Sequence, residues 1–166
     1  MTTTLSFHEA CDAVCAPGTM FEITQAEVFG VTTNVFAHAP ANIRALFALA
    51  AERTDDFIVY EDERRTMPEV LSEAAQIGHA LVNDFDVAPG DRVAIAMRNF
   101  PEWISTFVAI TSVGAVAVPL NAWWQTDELA YAINDSGAKI VFADEERLGR
   151  LQAEGTDGPI DLSDIT

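Results

Sequence analysis

The sequence predicts an α/β protein: a partial doubly wound layer with a three-stranded parallel βαβαβ core, preceded by a β-hairpin and a long helix. Three observations predict it. Short apolar runs at Arg92–Met97, Ala115–Pro119 and Lys139–Ala143 recur roughly every two dozen residues, each of strand length. Helical patterns fill the gaps between them, and a crossover of that size joins parallel strands rather than a hairpin. The breakers also fall where helices want them, with Pro101 opening one helix, Gly114 just past its end and Gly137 closing the next.

The elements follow in order. Ser6-Phe7-His8-Glu9 has the capping-box spacing and starts a helix to about Ala16, stopped by Pro17-Gly18. Alternation at Phe21–Thr24 and at Val28–Val31 predicts two short strands in an N-terminal arm. A helix follows Pro40, with Ile43, Leu46, Phe47 and Ala50 on one side. Phe57–Tyr60 and Arg64–Thr66 flank the turn Glu61-Asp62-Glu63 as a hairpin. Thr66-Met67-Pro68-Glu69 is a second capping box, opening a helix to about Asp84 with Val70, Leu71, Ala74, Ile77, Leu81 and Val82 inward. Within the parallel layer, Ala115–Pro119 is expected to be buried on both faces, Thr126 to cap its helix, and a last helix to start after Asp144. The expected organisation is an N-terminal helix and arm (1–40), an α/β subdomain (41–153) and a linker or loop (154–166).

Composition narrows the partners. A net charge of -17, with 9 Lys and Arg in total, argues against nucleic acid and against an anionic membrane surface. From Trp103 to Trp124 no residue carries a formal charge, a length that could span a bilayer, but Gly114, Pro119 and scattered polar residues break it into helix, turn and strand. The start has no basic region followed by an apolar stretch, so no secretory signal is expected. Cys11 and Cys15 share one helix face and read as reduced thiols of a cytoplasmic protein.

The search for chemistry excludes more than it finds. No glycine-rich loop follows a predicted strand, and the lone lysine, Lys139, leads from a helix into a strand, the reverse of a phosphate loop. His8, Cys11 and Cys15 share a helix face but lack a local fourth ligand for a structural zinc, so no metal site is assigned. His38 and His79 stand alone, without a partner to make a general base. No catalytic or cofactor-binding residue is assigned.

Ligands of parallel α/β sheets bind beyond the carboxyl ends of the strands. There the sequence offers Arg98–Glu102 and Leu120–Trp124. Asn99, Asn121, Trp123 and Trp124 could form a binding wall or an interdomain contact. The plainer reading is preferred: Asn99 caps the next helix, and the tryptophans cover the sheet end.

In order along the chain, Arg65–Leu71, Val87–Ile95, Arg98–Trp103, Gly114–Asn121, Ala122-Trp123-Trp124 and Ser136–Lys139 resemble the N-terminal region of the adenylate-forming superfamily. They are most similar to bacterial fatty-acid or medium-chain acyl-CoA synthetases. The resemblance covers roughly Ala16 to Leu151. It implies a parent enzyme that uses ATP and Mg²⁺ to make an acyl-adenylate from a carboxylic acid, then transfers the acyl group to CoA. In that family the phosphate loop, the adenine and ribose contacts and the catalytic lysine come later than the region matched. The resemblance therefore implies an N-terminal fragment, inactive alone, with no cofactor of its own and the remainder of the enzyme as partner. Its uncovered apolar surface predicts a homo-oligomer. The alternative is a free-standing, non-catalytic interaction module of the same fold.

Overall fold

The computed structural model of the chain describes residues 5–152. The expected loop 154–166 lies outside the described residues. The chain divides into two units, 1–42 and 43–166.

In the first unit, α1 (Phe7–Val14) begins at a closed capping box: the Ser6 amide donates to Glu9 Oε2 at 2.8 Å, and the Glu9 amide to the Ser6 hydroxyl at 3.4 Å. β1 (Ile23–Val28) and β2 (Val31–Phe36) pair antiparallel from Ile23 opposite Phe36 to Val28 opposite Val31. The expected strand over Val28–Val31 is thus corrected to a turn. Phe29 and Gly30 have φ of +50° and +79°, the pair of positive values that a tight two-residue hairpin turn requires.

In the second unit, α2 (Ile43–Ala48) precedes a hairpin of β3 (Asp56–Tyr60) and β4 (Glu63–Thr66). α3 (Met67–Asn83) starts where the Thr66 amide and hydroxyl both donate to Glu69 Oε2 at 2.7 Å. It buries Met67, Val70, Ala74, Gly78 and Leu81 along one stripe, while Val82, expected inward, turns away and stays exposed. Arg65 ties this hairpin to the helices. It donates to Glu73 at 2.7 Å and Glu102 at 3.0 Å and pairs with Glu63, while the buried Ser105 hydroxyl donates to Glu73 at 2.5 Å.

The parallel layer comprises β5 (Arg92–Ala96), α4 (Pro101–Ser112), β6 (Val116–Pro119), α5 (Thr126–Ser136), β7 (Ile140–Ala143) and α6 (Glu145–Leu151), with strand order β6-β5-β7. β5 is central and buried on both faces. Val93 and Ile95 pack with Ala74 and Leu81 of α3 and Val108 and Ile110 of α4. Ala94 and Ala96 pack with Leu129 and Ile133 of α5 and Leu151 of α6. Helices therefore cover both faces, as the sequence predicts. β6, one of the two edge strands, departs from the expectation and leaves Val116 and Pro119 exposed rather than buried. The α5 cap is Gln125, not Thr126, because the Glu128 carboxylate accepts from the Gln125 amide at 2.9 Å. The Thr126 hydroxyl instead donates to the Arg150 carbonyl at 3.0 Å.

Candidate functional site

Two loops leave the carboxyl end of the sheet. After β5, the Phe100 amide donates to the Arg98 carbonyl at 2.7 Å, a three-residue turn that swings the chain into α4. Phe100, not Asn99, holds the N-cap position, and no side chain caps that helix. Asn99 is left exposed at the lip. After β6, the Leu120 amide extends the ladder to the Ile95 carbonyl at 2.9 Å, and the loop then folds on Asn121. Asn121 Oδ1 accepts from the Trp123 amide at 3.0 Å, and its carbonyl accepts from the Trp124 amide at 3.1 Å. Trp124 packs on the cluster around Ala94 and Leu120, so it covers the sheet end as expected. Trp123 does not: it is 71% exposed, and the Arg98 guanidinium lies 5.4 Å from its ring centroid.

These loops border a cavity of about 450 Å³ lined by Tyr60, Arg98, Asn99, Phe100 and Trp123 among others. A neighbouring cavity of about 380 Å³ shares Tyr60, Asn99 and Phe100 and reaches Trp103 and Ile104. The Tyr60 and Phe100 rings meet edge-on at 6.0 Å. Of the four candidate residues, Asn99 and Trp123 thus line one cavity, while Asn121 and Trp124 shape its wall. A cation, an amide and aromatic faces surround one space together with the Glu61 carboxylate, a lining that suits a planar polar group.

The strand order makes a crevice between β5 and β7, whose following helices leave to opposite faces. Asp144 fills it. Its Oδ2 accepts from the Arg98 amide at 2.9 Å, and its Oδ1 from the Arg147 amide at 2.9 Å as the α6 cap. Burial works against this carboxylate, but those two amides and the Arg147 guanidinium outweigh it and hold the carboxyl below its ordinary value. Arg147 is only 1% exposed and donates through Nε and Nη2 to the Ala122 carbonyl at 2.8 and 2.6 Å. Arg150 adds a bond to the Trp124 carbonyl at 2.6 Å. Two arginines of α6 therefore clamp the loop that presents Trp123. Sequence reading missed them. Their one legible signal was Arg147 three residues after a capping Asp.

Three helix N-termini, the usual cradle for phosphate, are already claimed by carboxylates, Glu69 at α3, Glu128 at α5 and Asp144 at α6, whereas that of α4 carries no side-chain cap. Lys139 braces the layer from below, donating to the Asp86 carbonyl at 2.6 Å and to Asp91 Oδ2 at 3.1 Å. The Ala88 amide, then the Lys139 ammonium, hold Asp91 below its ordinary value. Cys11 and Cys15 are free thiols, and His38 lies 3.6 Å from Glu22. Among the described residues no group of His, Cys, Asp or Glu side chains could hold a metal ion, and no helix is long and apolar enough to cross a membrane.

A parallel layer with helices on both faces, and polar and aromatic loops at its carboxyl end, defines an α/β protein of the doubly wound class. The chain belongs to the AMP-binding enzyme family, which it matches over residues 47–163. It is 35% identical over 103 residues to 2-succinylbenzoate–CoA ligase of Geobacillus kaustophilus (strain HTA426), a match covering 61% of this chain and 21% of that protein. It is 29% identical over 123 residues to N-(5-amino-5-carboxypentanoyl)-L-cysteinyl-D-valine synthase of Amycolatopsis lactamdurans, covering 71% of this chain and 3% of that one. Among solved structures, an anthranilate CoA ligase in complex with anthranoyl-AMP superposes with a TM-score of 0.63 at 25% identity, covering 66% of this chain and 21% of that one. A benzoate CoA ligase from Burkholderia xenovorans LB400 shares the fold at a TM-score of 0.62 and 20% identity, covering 66% of this chain and 23% of that one. The chain spans about a fifth of the length of these three CoA ligases and 3% of the synthase.

Proposed function

We propose that this chain is the N-terminal α/β layer of an ATP-dependent acyl-CoA ligase. That enzyme condenses a carboxylic acid with ATP, using Mg²⁺, to an acyl-adenylate, and then passes the acyl group to CoA. The observation that carries the reading is the family match over residues 47–163 together with CoA ligases among the relatives. The substrate is a fatty or medium-chain acid and the compartment the cytoplasm, a reading supported by the resemblance of the motif run around Ala122-Trp123-Trp124 and by the two unbridged cysteines.

Within the ligase, this layer is scaffold plus one contact surface. Supporting that division, the helix N-termini of α3, α5 and α6 are occupied by carboxylates, which repel phosphate, and the uncapped one, that of α4, opens at the contact surface itself. The Arg98–Trp123 wall offers a cation and an aromatic face to a planar group, with the Glu61 carboxylate beside them. The chain alone is accordingly inactive. Calorimetric titration of the chain with ATP and Mg²⁺ tests this, with no binding tighter than about 100 μM expected.

The complete gene product decides the activity. Acid-dependent exchange of pyrophosphate into ATP, with acyl-CoA formed on adding CoA and a straight-chain acid, is the expected result. Exchange without any acyl-CoA would assign the acyl group to an acceptor other than CoA.

A further inference from the structure

The first unit stands outside the region that matches the family, which begins at residue 47. None of its described residues is buried. An antiparallel pair of strands and an eight-residue helix do not hold together well in water without a surface to lie on. At the tip of its hairpin, Phe29 is fully exposed, at 103% of its reference area. It also holds φ of +50°, a left-handed value that disfavours an aromatic residue and that Asn or Gly would take without strain. Val28 and Val31 flank it, 39% and 64% exposed. A strained, fully exposed aromatic flanked by apolar residues is a shape made for a pocket.

The second unit carries such a pocket. A groove of about 530 Å³ runs between α2, α3 and α4, floored by Phe47, Leu71, Ala74, Gly78, Val108 and Val113. The chain holds 26 Asp and Glu, yet among the described residues none of them lines this groove, whose ionisable side chains are Arg44 and His79. Residues 1–42 have the opposite balance, with Glu9, Asp12, Glu22 and Glu27 and no Lys or Arg. Glu27 stands two residues before Phe29.

We propose that the Phe29 knuckle of one copy of this chain seats in the α2–α3–α4 groove of a second copy. The apolar tip fills the apolar floor, and the acidic arm meets the groove edge that carries Arg44. Knuckle and groove are different patches, so each copy can give one knuckle and receive another.

Sedimentation velocity of the purified chain across micromolar concentrations tests it with two variants. Phe29→Asn removes the ring and suits the turn better, so the fold should be kept or stabilised while association weakens at least about 30-fold. Ala75→Phe, at an exposed groove-lining position of α3, blocks the receiving side and should weaken association similarly. Mixing the two variants restores one intact knuckle and one intact groove, so a heterodimer should form more tightly than either variant with itself. A wild-type chain that stays monomeric, a Phe29→Asn variant that dimerises unchanged, or a mixture that gains nothing would each overturn the proposal.

Discussion

Arg147 and Ala122 are joined by two hydrogen bonds to a single carbonyl oxygen, Nε at 2.8 Å and Nη2 at 2.6 Å. The pair locks the loop after β6 onto the start of α6. Nη1 of the same guanidinium lies 3.2 and 3.1 Å from the Asp144 oxygens, so one buried side chain holds a loop, a cap and a carboxylate together.

Removing that guanidinium should be costly. Arg147→Ala leaves Asp144 and the Ala122 carbonyl short of partners in a buried setting, and should destabilise the chain by about 3–5 kcal/mol. Arg147→Lys should recover only part of this, since an ammonium cannot reproduce the planar fork. Urea titrations of the three proteins measure both effects.

Asp144 should also shape the acid limb of stability. Its folded-state pKa lies below the unfolded value of about 3.9, so in the interval between them the unfolded chain binds the extra proton. Its contribution is present above that unfolded value and disappears as pH falls through the lower folded value. Asp144→Asn should therefore flatten the loss of stability below about pH 4 while lowering stability at pH 7. Denaturant midpoints against pH for the two proteins check it. An unchanged acid limb would contradict the assignment.

The adjacent tryptophans should behave differently. Trp124, packed on the second core cluster, should cost about 2 kcal/mol on truncation to Ala, less than a fully buried ring. Trp123 gives up only its contact with Arg98 and should cost within about 1 kcal/mol. In the ligase proposed above, Trp123→Ala should raise the KM for the acid or nucleotide while leaving the melting temperature nearly unchanged.

Gly137 should resist substitution. It closes α5 at φ of +60°, and a Cβ placed there would lie 2.9 Å from Arg92 Nη2. That guanidinium donates to the carbonyls of Ser136 and Gly137, so it must move if the methyl is added. Gly137→Ala should cost about 1–2 kcal/mol, read by thermal or urea unfolding.

The sequence by itself determined the secondary elements of the layer and their order. The signals for those are local: apolar period, capping boxes at Ser6 and Thr66, and breakers at Pro101, Gly114 and Gly137 act within a few residues of where they stand. It was less reliable where two local readings compete. Alternation ran through Val28–Val31, and only the pairing of β1 with β2 made that stretch a turn. Burial of β6 could not be read locally either, because an apolar run does not say how many neighbours its strand has. The site divides in the same way. Asn99, Asn121, Trp123 and Trp124 were placed at the right end of the sheet by position alone, but which of them faces solvent was decided by the fold. Arg98 meets Trp123 across 25 positions, and Arg147 meets Ala122 across as many. Such contacts arise when β6, β5 and β7 align their carboxyl ends, and no periodicity within one segment encodes a partner that only strand order brings near.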